Sequence, residues 1–196
     1  EMCIRDRGII TTQLSRGVWA RMGTLLMFKL FAVLCCAGVW GQGRPATAGE
    51  VRKLDITVFP DGRGLPAGKG NAVLGRPIYK AKCAVCHNEA AEGRDQQWPA
   101  LVGGIGSLAT PKPKKSVGSY WPYATTVWDY INRSMPFDHP RSLATDEVYS
   151  VTAFVLFLNG LIAEGHELNE KTLPQILMPN RNGFVPDRRP DVKAKR

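Results

Sequence analysis

Apolar positions recur at helical spacing in three stretches of the chain, and strict alternation is confined to one short run. In the last of these stretches Val148, Val151, Val155 and Leu158 fall three and four residues apart, and Phe154 and Phe157 widen the face enough for burial. Thr145 is the expected N-cap, Asp146 and Glu147 place negative charge in the first turn, and Asn159-Gly160 ends the helix. The first stretch runs from Asn71, an N-cap candidate, into Cys83, with Gly75, Tyr79 and Cys83 four apart along one face. A glycine on that face lets a second helix cross closely. Proline costs roughly 3 kcal/mol inside a helix, so Pro77 predicts that the regular part begins nearer Arg76. A middle helix is predicted over about 124–133, ended by Met135-Pro136 because the residue before proline is biased away from helix. The stretch 88–115 is rich in Gly, Pro and Lys and reads as loop. The pattern predicts a small all-α domain.

The flanks lack this periodicity. Residues 49–70 hold the alternation Leu54-Asp55-Ile56-Thr57-Val58-Phe59 and then a dense run of turn residues, Pro60 to Pro66, which predicts an extended arm. Residues 161–196 carry a weak helical signal around Lys171 to Leu177 and otherwise read as an extended tail. The chain therefore divides into a leader (1–48), an arm (49–70), a core (71–160) and a C-terminal extension (161–196). Residues 1–21 resemble a translated adapter sequence and are expected to lie outside the fold. From Met22 or Met27 the chain reads as an export signal, with Lys29 before the apolar run Leu30 to Trp40 and a small-residue cleavage site at Ala46-Thr47-Ala48. Cleavage near Ala48 predicts an exported, periplasmic protein with no membrane span in its mature form, since that apolar run falls short of the ~18 residues a spanning helix needs; a retained N-terminal anchor is the alternative.

The formal net charge of +9 falls to +5 without the leader, and Arg188, Arg189, Lys193, Lys195 and Arg196 crowd into the last nine residues. A basic face built into the fold is what nucleic-acid binding needs, and no such face is visible, so nucleic acid is not an expected partner. Of the five cysteines, Cys3, Cys35 and Cys36 lie in the leader, which leaves Cys83 and Cys86. Two cysteines three apart form no disulfide framework, and their role must come from the residues around them.

Those residues are Cys83-Ala84-Val85-Cys86-His87, a C-x-x-C-H run. One helical turn lets two thiols bond the vinyl-derived positions of a single haem c while the next imidazole reaches its iron. Zinc would need four ligands, and the chain offers no second cysteine pair, only the distant His139 and His166. A redox dithiol expects a βαβ context, which is absent. The second ring nitrogen of His87 needs a carbonyl to hold it, and Pro99, in Trp98-Pro99-Ala100-Leu101, is a candidate, with an ordinary turn proline as the alternative. Leu101 of the same run is a candidate haem contact. Met135 is the candidate sixth ligand, ahead of Met178, His139 and His166. Tyr123 and Trp128, in an aromatic-rich stretch, are candidates for walling the haem or bonding a propionate, although core packing explains such rings equally well.

This layout resembles class I cytochromes c over 71–160. The resemblance implies a fold whose first and last helices cross near Gly75 and Tyr79, with Met135 as axial ligand and Pro99 holding His87. Three further runs are similar to the cytochrome subunit of the sulfane (sulfite-type) dehydrogenases of bacterial sulfur oxidation: Asp61-Gly62-Arg63-Gly64-Leu65-Pro66, Val117-Gly118-Ser119-Tyr120-Trp121-Pro122-Tyr123-Ala124-Thr125-Thr126 and Met178-Pro179-Asn180-Arg181. This second likeness implies a non-catalytic electron carrier beside a molybdenum-cofactor dehydrogenase subunit. With one C-x-x-C-H, it also implies a separate downstream cytochrome acceptor. A freely diffusing cytochrome and an open-haem enzyme or gas sensor are the competing readings.

Overall fold

The computed structural model describes residues 43–185, so the expected signal core and the basic end of the tail lie outside the described residues. The chain separates into two units, Glu1–Asp55 and Ile56–Arg196. In the first, Ala48–Leu54 forms a helix, α1, with none of its residues buried. This corrects the expectation of an extended arm from residue 49. The missed signal is a capping box: Thr47 Oγ1 accepts the Glu50 N–H (3.3 Å) and the Glu50 carboxylate accepts the Thr47 N–H (2.8 Å). Arg44 adds a guanidinium to the same carboxylate, and these donors hold Glu50 at about 2.

The second unit carries the core. Its elements are β1 (Lys69–Gly70), α2 (Ala72–Lys82), α3 (Ala84–His87), α4 (Val117–Tyr120), α5 (Ala124–Ser134), α6 (Thr145–Leu158), β2 (Leu168–Asn169) and a 3-10 turn at Leu173–Gln175. The fold is all-α, with β1 and β2 forming a two-residue antiparallel ladder (Gly70 opposite Leu168). Among the described residues no helix is long and apolar enough to cross a membrane.

Helix α2 begins at Ala72, four residues before the start predicted from Pro77, because the Asn71 side chain accepts the Leu74 N–H (3.0 Å) and fixes the first turn. Pro77 sits inside the helix on its exposed side, where water can serve the carbonyl that the missing N–H leaves free. Helix α6 is capped by Ala144, one residue before the expected Thr145. Glu147 accepts the Ala144 N–H (2.8 Å), and Asp146, also in the first turn, accepts the Lys69 N–H (2.8 Å). Helices α2 and α6 cross at Gly75, where an added Cβ would collide with the Ser150 carbonyl and lie 2.9 Å from Phe154 Cβ. Tyr79, one turn on, packs its ring 5.1 Å from that of Phe154. The crossing thus buries Ala72, Gly75 and Tyr79 against a helix whose residues from Val148 to Leu156 are all buried.

The C-terminal extension is part of this core as far as Met178. Leu168 and Leu173 are fully buried and Met178 is 3% exposed, so the segment wraps the domain rather than trailing from it. The arm from residue 56 lies on the same unit through side chains that reach its carbonyls. Arg133 donates to Ile56 O (2.9 Å), Thr125 to Pro60 O (3.3 Å) and Tyr149 Oη to Pro66 O (2.9 Å). Tyr149→Phe keeps the buried ring and removes one of these bonds. A loss of about 1 kcal/mol in denaturant unfolding is expected, together with faster proteolysis between Pro60 and Pro66; unchanged proteolysis would show that this bond does not hold the arm.

Candidate haem site

The C-x-x-C-H run is built where α2 breaks. Cys83 caps α2, its N–H donating to Tyr79 O (2.8 Å), and its φ of −120° turns the chain into the single turn α3. His87 N–H closes that turn on Cys83 O (3.0 Å). The chain then leaves through Asn88 at φ +62°. Tyr79 Oη donates to Asn88 O (3.1 Å) and Asn88 Nδ2 to Gly93 O (2.8 Å), tying the exit to the core helix. Both thiols are free and half-buried. Burial, and then the neighbouring Cys86, pushes the Cys83 thiol up to about 11.

His87 is 9% exposed, and burial pushes its imidazole below the ordinary range while the Pro99 carbonyl draws it partly back. Its Nδ1 lies 3.2 Å from Pro99 O. A carbonyl only accepts, so Nδ1 carries the proton and Nε2 keeps its lone pair, as an iron ligand requires. The loop that brings Pro99 back is fixed by its own backbone. Arg94 N–H donates to Trp98 O (2.9 Å), Asp95 Oδ1 accepts the Gln97 and Trp98 N–H groups, and Leu101 N–H donates to Ala91 O (2.9 Å). At Gly93 φ is +77° and an added Cβ would lie 2.5 Å from Ala100 N, so only glycine fits.

The other candidate residues lie on other segments of the same unit. Met135 caps α5 and is half-buried, ahead of a cis bond to Pro136. Met178 is packed within the core. His139 and His166 are exposed, His139 beside Asp138 (3.1 Å). Leu101 is half-buried on the core, with its carbonyl accepting from Val117 N–H (3.2 Å) and Asn159 Nδ2 (3.1 Å). Tyr123 is half-buried under the Arg181 guanidinium (5.1 Å). Among the described residues no cluster of three His, Cys, Asp or Glu side chains could hold a metal ion, so the donor set for zinc is missing. Sequence reasoning missed Asn159, whose amide braces Leu101 against α6, and Trp98, whose ring meets His87 edge-on at 6.5 Å. Adjacency to Pro99 was the only signal for Trp98.

One buried atom tests whether a haem suits these residues. Trp128 is 1% exposed, its ring packs on Tyr149 at 5.4 Å, and its Nε1–H has no acceptor. A buried donor left unsatisfied costs about 1–3 kcal/mol. A haem propionate is an acceptor that this N–H can take. With two thiols and a neutral imidazole on one turn, the chain's groups fit a covalently bound haem.

Comparison with known proteins agrees with that chemistry. The family model for cytochrome c matches residues 72–159. The crystal structure of the sulfane dehydrogenase SoxCD from Paracoccus pantotrophus contains a chain 45% identical to this one, covering 76% of this chain and 73% of that chain with a TM-score of 0.69. No curated protein matches. The chain belongs to the class I c-type cytochromes, electron carriers with covalently bound haem c, and is related to the cytochrome found in sulfane dehydrogenase.

Proposed function

We propose that this chain is the non-catalytic cytochrome subunit of a periplasmic sulfur-compound dehydrogenase, taking electrons from a molybdenum-cofactor subunit and passing them to a downstream cytochrome. The observation that carries this reading is the reach of the likeness to SoxCD. It covers 76% of the chain, well beyond the cytochrome c core at 72–159, so residues flanking the core are shared as well. A core that only carried electrons by diffusion would not need them.

The haem, when bound, supplies one-electron chemistry at its iron. Cys83 and Cys86 would anchor it, His87 Nε2 and the Met135 thioether would ligate its iron, and the single C-x-x-C-H implies one haem. Pro99 O fixes the His87 ring and so aims Nε2, while burial favours the neutral imidazole. Trp128 Nε1 would donate to a propionate, while Leu101 and Tyr123 would line the haem pocket. In this reading 71–160 is the cytochrome domain, 49–70 and 161–196 are its extensions, and the segment up to Ala48 is the export leader.

The test is purification of the affinity-tagged full chain from cells that also express the neighbouring dehydrogenase. The expected preparation holds one acid–acetone-resistant haem per chain and stoichiometric molybdenum, and its haem is reduced when a sulfane-sulfur compound or sulfite is added. A haem protein that elutes alone, without molybdenum, and stays oxidised with both compounds would overturn the subunit reading in favour of a free carrier.

A further inference from the structure

We propose that Trp98 and Phe137 form an aromatic clasp that holds the Met135 loop closed, with Trp98 as the positioning residue. The inference rests on the reading of Met135 as the second axial ligand. Trp98 meets His87 edge-on (6.5 Å, 85°) and Phe137 edge-on (5.8 Å, 79°), so one ring touches both the His87 side of the site and the loop that follows Met135. Both geometries are the edge-to-face arrangement that aromatic pairs favour.

Each partner is tied to the ligand it would influence. Trp98 is held by the Asp95 carboxylate at its N–H (3.0 Å) and by Arg94 at its carbonyl, and the next carbonyl along the chain is the one that His87 Nδ1 meets. Phe137 follows Met135 by two residues, and the polar contacts of its loop among the described residues are local: Met135 N–H to Ile131 O (3.0 Å), His139 N–H to Pro136 O (3.0 Å) and the His139–Asp138 pair (3.1 Å). Among the described residues no hydrogen bond joins 94–101 to 135–139, and the Trp98–Phe137 contact is a direct side-chain link between these loops. Phe137 is 68% exposed and therefore no part of the core, which leaves Trp98 as the aromatic partner that orders it. If swinging Met135 away from iron breaks the ring contact, the clasp lowers the population of the open form.

The experiment is an imidazole titration of the ferric holoprotein, following loss of the weak red sulfur-to-iron band. An exposed aromatic pair predicts that Phe137→Ala binds imidazole about two- to fivefold more tightly, whereas Phe137→Tyr stays at the wild-type value. Trp98→Ala should show the same gain, and the double variant no more than either single one. The guanidinium midpoint of Phe137→Ala should not move, because an exposed ring adds little to global stability. An unchanged imidazole affinity in Phe137→Ala, or additive effects in the double variant, overturns the clasp; if Trp98→Ala does not fold, the Ala and Tyr variants of Phe137 decide. Met135→Ala run alongside separates the two readings. A red band that survives there sinks the ligand assignment and the clasp with it, whereas its loss there together with no effect in Phe137→Ala sinks the clasp alone.

Discussion

Replacement of Gly75 by valine is expected to lose about 3–5 kcal/mol of stability, a large share of the ~5–15 kcal/mol that a domain has. A Cβ at Gly75 meets the backbone carbonyl of Ser150, which cannot rotate aside as a flexible side chain would. Helices α2 and α6 must separate, and the contacts of Ala72, Tyr79 and Phe154 loosen with them. Because Cys83 N–H is bonded to Tyr79 O, the displaced helix also carries the first haem-anchoring thiol out of position. The yield of covalently attached haem should therefore fall along with the thermal midpoint. Gly75→Ala should lie between, and Val73→Ala, on the exposed side of the same helix, should change stability by less than about 0.5 kcal/mol. A Gly75→Val protein with wild-type haem content and melting temperature would disprove this account of the crossing.

Met135→Ala is expected to abolish the red sulfur-to-iron band of the oxidised protein and to lower the reduction potential by on the order of 0.1 V or more, since thioether ligation favours the reduced iron. Covalent haem should remain, because Cys83 and Cys86 are untouched. Met178→Leu is the control. Met178 is packed within the core, so its replacement should leave the band in place and cost less than about 1.5 kcal/mol. His139→Ala should also leave the band, because His139 is exposed beside Asp138. If the band survives Met135→Ala and disappears in Met178→Leu, the ligand assignment moves to Met178. Optical spectra and redox titration of the three variants are sufficient.

Some of this architecture follows from local chemistry and is present in the sequence. Asn71 and Glu147 act on their own helix ends, the four-residue spacing of Gly75, Tyr79 and Cys83 defines one face of α2, and C-x-x-C-H specifies its cofactor through the reach of one turn. The capping box Thr47-x-x-Glu50 was equally local, and was hidden by the apolar alternation that begins at Leu54. The misplaced start of α2 has a different origin. The cost of Pro77 depends on whether its surroundings are wet, and only the packing of α2 on α6 puts that proline on the solvent side.

Distance along the chain marks what the sequence alone could not decide. Leu168, Leu173 and Met178 lie in a segment with little periodicity of its own, and they are buried because β2 pairs with β1 nearly a hundred residues earlier. The ring contact of Trp128 with Tyr149, the brace from Asn159 to Leu101 and the ring contact of Trp98 with Phe137 likewise join residues from separate elements. Helical periodicity and the spacing of a covalent motif are short-range and survive in a linear string. Burial and aromatic contact between distant segments are created by folding, so only the tertiary structure could assign them.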